Sequence, residues 1–431
     1  MGKGIFSSAQ LEEIISKSDI VDVISEYLKL KKAGRNFKAL CPFHQEKTPS
    51  FIVNPEKQIF HCFGCGEGGN VIKFLMKMDN ISFPKAVALA AKKAGVKISI
   101  SEYTEDIKED KIFKANEFAS VCYKEALFSS QGGRAMDYLN GRNLTEKDIK
   151  QFHLGFAPGV RDYLVKKVIE KNLDKEPFIN AGLINKEGDG DTFRNRIMFP
   201  IFDIQGRIAG FGGRAMGEEQ LPKYLNTIEN EVFSKGRLLY GIYQAKTLIK
   251  ERQFVFLVEG YFDVIKLHIN GIGNVVAPMG TALTEEHLRF LKRFTEKILL
   301  AFDSDEAGLN ASLRNLESIL KMGFEPKICM LPVNFDPDRF IDEYGIETFK
   351  KIMGQAMDFL DFALNITSRK YDINAPKGKS SIAKEIVELI SFIPDEIERD
   401  EYLKLLSIKL NLDNKVLRGY LNNKKGGSKS D

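Results

Sequence analysis

Short apolar runs alternate with amphipathic stretches across residues 253–332. Runs at 254–258, 274–277, 297–302 and 326–331 read as strands. Helical patterns at 261–269, 285–294 and near 306–322 lie between them. This alternation predicts a parallel sheet with crossover helices. Toward the N-terminus, Ala9, Leu11, Ile14 and Ile15, then Ile20, Val21, Val23, Ile24 and Leu28, predict two short amphipathic helices within 8–30. Two more helices are predicted at 71–76 and 84–94. From 111 to 245 the texture is mixed α/β, with a hairpin expected from 197–203 to 207–211 turning at Gln205-Gly206. Residues 358–422 are helical in pattern.

At 431 residues the chain has room for about two to four domains. Its formal net charge is only +4, so any contact with nucleic acid must come from local basic patches. The N-terminus lacks an apolar signal core, Gly2 is not followed by Ser or Thr at position 6, and no apolar run reaches bilayer length. A cytoplasmic, monomeric protein without a membrane partner is therefore expected. Residues 101–110 are rich in charge with almost no core residues and read as a linker, and 423–431 read as a flexible tail. The boundaries that result are 1–100, 111–245, 250–345 and 358–422.

Candidate chemistry begins with Cys41-Pro42-Phe43-His44 and Cys62-Phe63-Gly64-Cys65. Each is a ligand pair that a knuckle turn aims at one ion, and residues 45–61 suffice for a hairpin joining them. Three thiolates and one imidazole suit a single tetrahedral Zn²⁺, closed by protein ligands and therefore structural. The glycines at 64, 66, 68 and 69 are expected to supply positive φ angles around it. The other cysteines, Cys122 and Cys329, read as unpaired thiols of a reducing compartment. Near the quartet, Lys47, Lys57, Lys73 and Lys77 accompany Phe43, Phe51, Phe60 and Phe63. Some of these rings must form a small core, and an exposed remainder would stack on unpaired bases.

In an open parallel sheet, ligands gather beyond the carboxyl ends of the strands. Glu259 ends the first predicted strand, Asp303 and Asp305 the third, and Asp336 and Asp338 lie beyond the fourth. One such acid alone is commonly a helix cap. Five at three strand ends repel one another unless a divalent cation intervenes, and an oxygen-only set favours Mg²⁺ or Mn²⁺. Two such ions would activate a 3′-hydroxyl and stabilise a leaving pyrophosphate. Opposite charge stands earlier in the chain. Arg194 and Arg196 precede the 197–203 run, Arg214 follows Gly210-Phe211-Gly212-Gly213, and Lys223, Lys235 and Arg237 come after. Basic residues beside glycine-rich backbone suit approach to phosphates, although each alone equally fits a solvated face. The dinucleotide pattern at Gly210-x-Gly212-x-x-Ala215 fails for want of a following crossover helix. Gly378-Lys379-Ser380 fails as a phosphate loop because position 373 is Ile.

The zinc segment, with Glu46-Lys47-Thr48-Pro49-Ser50-Phe51 after its first pair, resembles the zinc domain of bacterial DNA primases of the DnaG type. Arg194-Asn195-Arg196, Gly210–Arg214, Pro222-Lys223-Tyr224-Leu225-Asn226 and Lys235-Gly236-Arg237 resemble the polymerase core of that family. Glu259-Gly260-Tyr261-Phe262-Asp263, Asp303-Ser304-Asp305 and Asp336-Pro337-Asp338 are similar to its Toprim motifs. The resemblance implies a multidomain α+β and α/β chain: an N-terminal zinc ribbon, a mixed subdomain, a Toprim parallel sheet and a C-terminal helical subdomain. It implies template-directed synthesis of RNA primers from ribonucleoside triphosphates on single-stranded DNA. Glu259 would serve in acid/base work, and all five acids would hold Mg²⁺ or Mn²⁺. Arg142, Arg194, Arg196, Arg214, Lys223, Asn226 and Lys235 would contact nucleotide or template. The family continues into a helical domain that docks on the replicative helicase. A lysine- and glycine-rich tail stands where that domain would begin, so helicase docking is expected only if it lies beyond this chain. The competing readings are another Toprim activity, such as strand cleavage, and a non-catalytic zinc module that binds single-stranded DNA.

Overall fold

The computed structural model describes residues 6, 8–44, 46, 48–79, 81, 83–96, 104–217, 219–280, 283–302 and 315–426. The chain divides into two compact units, Met1–Asp110 and Lys111–Asp431.

In the first unit, helices Ser8–Lys17 and Ile20–Ser25 precede five strands: β1 (Lys31–Ala33), β2 (Asn36–Ala39), β3 (Phe51–Asn54), β4 (Ile59–Cys62) and β5 (Gly68–Gly69). They form an antiparallel sheet in chain order. Helices Val71–Asp79 and Phe83–Ala94 follow. Side chains alternate across the strands, so Phe51, Val53, Phe60 and Cys62 face a core that includes Phe74, Leu75 and Ala90. The predicted phenylalanines part company here. Phe51 and Phe60 are buried and stacked at 5.2 Å, Phe43 packs against both, and Phe63 is 74% exposed.

The second unit holds two sheets. β6 (Gly155–Ala157), β7 (Arg196–Phe202), β8 (Ile208–Ala215) and β9 (Tyr224–Asn226) form an antiparallel sheet in that order. The other sheet contains β10 (Val255–Leu257), β11 (Val275–Val276), β12 (Lys297–Phe302), β13 (Glu325–Met330) and β14 (Met357–Asp358). Its order is β11-β10-β12-β13-β14, parallel except for the antiparallel edge β14. The strand order reverses at β10, with β11 added on one side of it and β12 on the other. Such a switch point opens a crevice at the strand ends. Four helices, Phe359–Lys370, Pro376–Ser391, Glu396–Leu410 and Asn414–Gly426, follow β14 and share the core of this sheet. Among the described residues no helix is long and apolar enough to cross a membrane.

Two expectations need correction. The charged linker at 101–110 is helical from Thr104, at the start of a helix running to Leu127, while 101–103 lie outside the described residues. Glu and Lys are good helix formers, and the same helix continues into a buried stripe at Ile112, Ala115, Ala119, Cys122 and Ala126. The tail expected from 423 is helical to Gly426; residues 427–431 lie outside the described residues.

Candidate zinc centre and acid cluster

Among the described residues, one group of His, Cys, Asp and Glu has the geometry to hold an ion: Cys41, His44, Cys62 and Cys65, with ligand atoms all within 4.8 Å of one another. The hairpin β3–β4 brings the two knuckles together. Cys41 Sγ and Cys65 Sγ are 3.8 Å apart, and Cys62 Sγ and His44 Nδ1 are 3.7 Å apart. A tetrahedron with Zn–S bonds of ~2.3 Å has edges of about this length, so the four residues fit zinc. Burial works against the Cys62 thiolate. Hydrogen bonds from Ser50 and from the Cys65 and Gly64 N–H groups outweigh it and bring the thiol down to about 7. Glu46, which the sequence reading passed over, supports the site: its Oε1 accepts the N–H groups of Cys41 at 2.7 Å and Ser50 at 3.0 Å. Its Oε2 stands 3.4 Å from His44 Nε2, the carboxylate partner that orients a ligating histidine. Of the four glycines, Gly66 alone has a positive φ, +75°. Gly64 is needed for another reason, since a Cβ there would lie 2.5 Å from His44 Nε2.

The Toprim-like acids are distributed around the switch point. Glu259 is exposed just beyond β10, in the turn entering helix Tyr261–Ile269. Asp303 and Asp305, predicted beyond β12, lie outside the described residues. Asp336 is exposed and caps helix Pro337–Tyr344, accepting the Arg339 N–H at 2.7 Å. Asp338 is only 3% exposed. Arg142 Nη1 pairs with its Oδ2, and Lys266 Nζ stands 3.5 Å from its Oδ1. Oδ1 is a buried oxygen with no hydrogen-bond donor. With Arg142 and Lys266 both paired to it, Asp338 is a salt-bridged carboxylate, and among the described acids the exposed Glu259 and Asp336 are the oxygen donors that best suit a hard divalent cation.

Two partners of Asp338 were not singled out in the sequence. Asp263 accepts the N–H groups of Gly260 and Asp338, each at 3.0 Å. Its complete burial, with Asp336 and Asp338 nearby, pushes its carboxyl well above the ordinary range and favours the protonated acid. Lys266, 2% exposed, donates to the Arg142 carbonyl at 2.8 Å and to Asp342 at 2.6 Å. The signal was present: Asp263 and Lys266 stand three apart in Tyr-Phe-Asp-Val-Ile-Lys-Leu, otherwise an all-apolar helical run, and buried charges must be paired.

The basic residues separate into groups. Arg142 and Arg214 flank one ring, their guanidinium carbons 4.4 and 5.5 Å from the Phe262 centroid. Arg142 also donates to the Tyr138 hydroxyl at 2.8 Å, and Arg214 donates to that of Tyr224. Burial opposes the charge of Arg142, but Asp338 and Tyr138 outweigh it and raise its pKa. Arg194 and Lys223 are exposed and Lys235 is half-buried. Asn226 spends its amide internally, donating to the Met279 carbonyl at 2.9 Å and accepting from the Tyr261 hydroxyl at 2.6 Å. Arg196 is corrected. It is 3% exposed and donates to the carbonyls of Gly213 and Pro222 at 3.0 and 2.9 Å, so it pins β8 to the loop before β9 and faces no ligand. The glycine-rich backbone is corrected too. Cβ atoms at Gly210, Gly212 and Gly213 would lie 2.6, 2.4 and 2.8 Å from the rings of Phe233, Tyr261 and Phe193. These glycines make room for aromatic packing, not for phosphate.

A closed zinc ribbon in the same chain as a Toprim-like sheet with acids at its switch point defines a nucleic-acid-directed enzyme of the metal-dependent phosphoryl-transfer class. Family models match along most of the chain: the CHC2 zinc finger over residues 6–106, the DNA primase catalytic core N-terminal domain over 122–246, Toprim-like over 256–341, and the DnaB-helicase binding domain of primase over 360–414. The DNA primase of Halalkalibacterium halodurans is 38% identical over 418 residues, 95% of this chain and 69% of that protein. That of Clostridium acetobutylicum is 39% identical over 409 residues, 92% of this chain and 68% of that protein. The zinc-binding and RNA polymerase domains of Aquifex aeolicus primase superpose with a TM-score of 0.65 at 36% identity, covering 96% of this chain and 99% of that one. A DnaG primase catalytic domain bound to single-stranded DNA superposes with a TM-score of 0.65 at 33% identity, covering 72% of this chain and 99% of that one. The chain belongs to the DnaG-type family of bacterial DNA primases. A helicase-binding domain lies within it, at 360–414, and not only beyond its end as expected.

Proposed function

We propose that this protein synthesises short RNA primers on single-stranded DNA during replication, using ribonucleoside triphosphates and metal-dependent nucleotidyl transfer. The observation that carries the reading is the zinc quartet joined in one chain to a Toprim-like switch point bearing Glu259 and Asp338. Mg²⁺ or Mn²⁺ would be held by Glu259, Asp303, Asp305, Asp336 and Asp338, and would supply charge neutralisation at the reacting phosphate. Glu259 is exposed and suits proton transfer. Arg142 and Arg214 stand ready for phosphates, with Arg194, Lys223 and Lys235 available to nucleotide or template. The helical residues 360–414 are the candidate contact for the replicative helicase. The protein acts as a cytoplasmic monomer at the replication fork.

The decisive experiment incubates the protein with single-stranded template, ribonucleotides and Mg²⁺ or Mn²⁺, and separates the products by length. Short RNA is expected, lost on chelation. Asp303→Ala should reduce it about a hundredfold or more while single-stranded DNA binding persists. Absence of RNA from the wild-type protein in either metal would refute the reading.

The template is read by the open face of the zinc unit. Cross-strand pairing aligns Lys31, Lys38, Ile52 and His61 in one outward row, and the exposed Phe63 ring meets His61 edge-on at 4.7 Å. Stacked bases beside phosphate-tracking lysines suit such a surface. Phe63→Ala is expected to weaken single-stranded DNA binding by about 1–3 kcal/mol without changing its salt slope. Lys38→Ala should lower the slope by about 0.7. Fluorescence anisotropy across a salt series distinguishes them, and two variants with wild-type behaviour would remove this face from template contact.

A further inference from the structure

We propose that His287 is a positioning residue for primer synthesis: its buried imidazole fastens the turn at 234–238 and so sets where Lys235 presents its ammonium to phosphate. The proposal deepens the primase reading above and rests on it.

His287 is fully buried at the third position of helix Glu285–Leu291, and both of its ring nitrogens engage backbone. Nδ1 accepts the Thr284 N–H at 3.2 Å, and Nε2 lies 3.0 Å from the Leu238 carbonyl, 49 residues earlier in the chain. A peptide N–H only donates and a carbonyl only accepts. The first contact therefore leaves Nδ1 bare, and the second puts the proton on Nε2. Burial favours this neutral ring by holding its pKa below the ordinary value, against the pull of the Leu238 and Lys235 carbonyls. A glutamate at this position would close the capping box equally well. Its carboxylate, however, has no proton for Leu238 and would bury a charge. Histidine caps its own helix and reaches the distant turn with one side chain.

The turn is held on several sides. The Arg237 and Leu238 N–H groups donate to the Ser234 carbonyl at 3.2 and 3.0 Å, and the Lys235 N–H donates to the exposed Glu229 at 2.8 Å. Thr284 Oγ1 donates to the Gly236 carbonyl at 2.6 Å. Thr284 and His287 thus fasten the carbonyls on either side of Arg237 to one helix start, directly after Lys235. The Lys235 ammonium has no ion-pair partner among the described residues, so its charge is available to phosphate. Removing the Nε2 proton donor would leave the Leu238 carbonyl without its partner and let the turn shift.

The test uses the full chain and begins with Lys235→Ala, for which KM for ribonucleotide and Kd for single-stranded template are both measured. The constant that rises identifies what Lys235 holds. His287→Asn keeps an acceptor near the Nδ1 position for Thr284 but has no donor for Leu238. It is expected to raise the same constant about tenfold, and His287→Asn/Lys235→Ala should be no weaker than Lys235→Ala alone. His287→Gln, whose amide nitrogen extends toward Leu238, should bring the constant back to within about threefold of wild type. A purely structural histidine would lower the melting temperature in these variants and leave the constant unmoved. A wild-type constant in folded His287→Asn, additive effects in the double variant, or no rise in Lys235→Ala overturns the proposal. If His287→Asn fails to fold, a constant raised as far in His287→Gln as in Lys235→Ala overturns it. If neither folds, the imidazole nitrogen chemical shifts of the wild-type protein decide, and a proton on Nδ1 at neutral pH overturns it. Intact primer synthesis without these shifts defeats only this proposal. Absence of synthesis in the wild-type protein defeats the reading beneath it.

Discussion

Cys62→Ser is expected to release zinc and unfold the five-stranded sheet of the first unit while the second unit, residues 111–431, stays folded. Cys62 is fully buried at the end of β4, opposite Phe51, and its sulfur is the one met by both Ser50 and His44. Structural zinc contributes about 10–16 kcal/mol in small zinc modules at neutral pH. A serine hydroxyl is a poor substitute for the thiolate. On the sheet side, the apolar core of this unit is Ala39, Phe51, Val53 and Phe60 with the partly buried Phe43 ring, packed on Phe74 and Leu75. A core of that size does not replace a metal of that worth. Hydrogen exchange should show lost protection across 31–79 and unaltered protection in β7, β8 and β10–β13, with zinc absent from the purified protein. One tightly held zinc per chain with native exchange would remove Cys62 from the ligand set. Glu46→Gln should be far milder, since the amide oxygen can still accept the Cys41 and Ser50 N–H groups.

The zinc ligands were legible in the sequence because paired cysteines at knuckle spacing have few other uses. The strands of the Toprim-like sheet were legible because apolar runs buried on both faces stand out between amphipathic helices. Side-chain pairing across distant segments was not legible. Nothing in the sequence around Arg142 announces that it meets Asp338, nearly two hundred residues later, or that Lys266 holds its carbonyl. Arg196 and Arg194 look alike in sequence, and their fates differ because Arg196 begins β7 and reaches the carbonyls of Gly213 and Pro222, whereas Arg194 precedes the strand and is exposed. The glycines of β8 were read as phosphate-facing because composition shows where a side chain is missing but not what fills the space. The charged helix from Thr104 was read as a linker because its apolar stripe begins only at Ile112.

Those β8 glycines lead to the second large effect, at Gly212→Ala. The added Cβ would lie 2.4, 2.7 and 2.8 Å from Cε2, Cζ and Oη of Tyr261. The ring has nowhere to go. It stacks on Phe199 at 5.1 Å, meets Tyr240 at 4.7 Å, and its hydroxyl donates to Asn226 at 2.6 Å. Overpacking of this kind costs about 1–3 kcal/mol, and a melting temperature several degrees lower is expected. The position of Tyr261 makes the functional effect larger than the loss of stability. It is the first residue of helix Tyr261–Ile269, directly after Glu259-Gly260, so displacement of the ring moves the turn that carries the proposed acid/base residue. Misplacement of a reacting group by about 1 Å can cost a hundredfold in rate. Gly212→Ala is therefore expected to bind single-stranded DNA normally and to lose most primer synthesis through kcat. Gly212→Ala/Tyr261→Leu, in which the shorter side chain vacates the Cβ position, should be more stable than the sum of the two single effects. Additive stabilities would mean that the alanine is accommodated elsewhere. Wild-type melting and synthesis in Gly212→Ala would show that the contact with Tyr261 does not position Glu259.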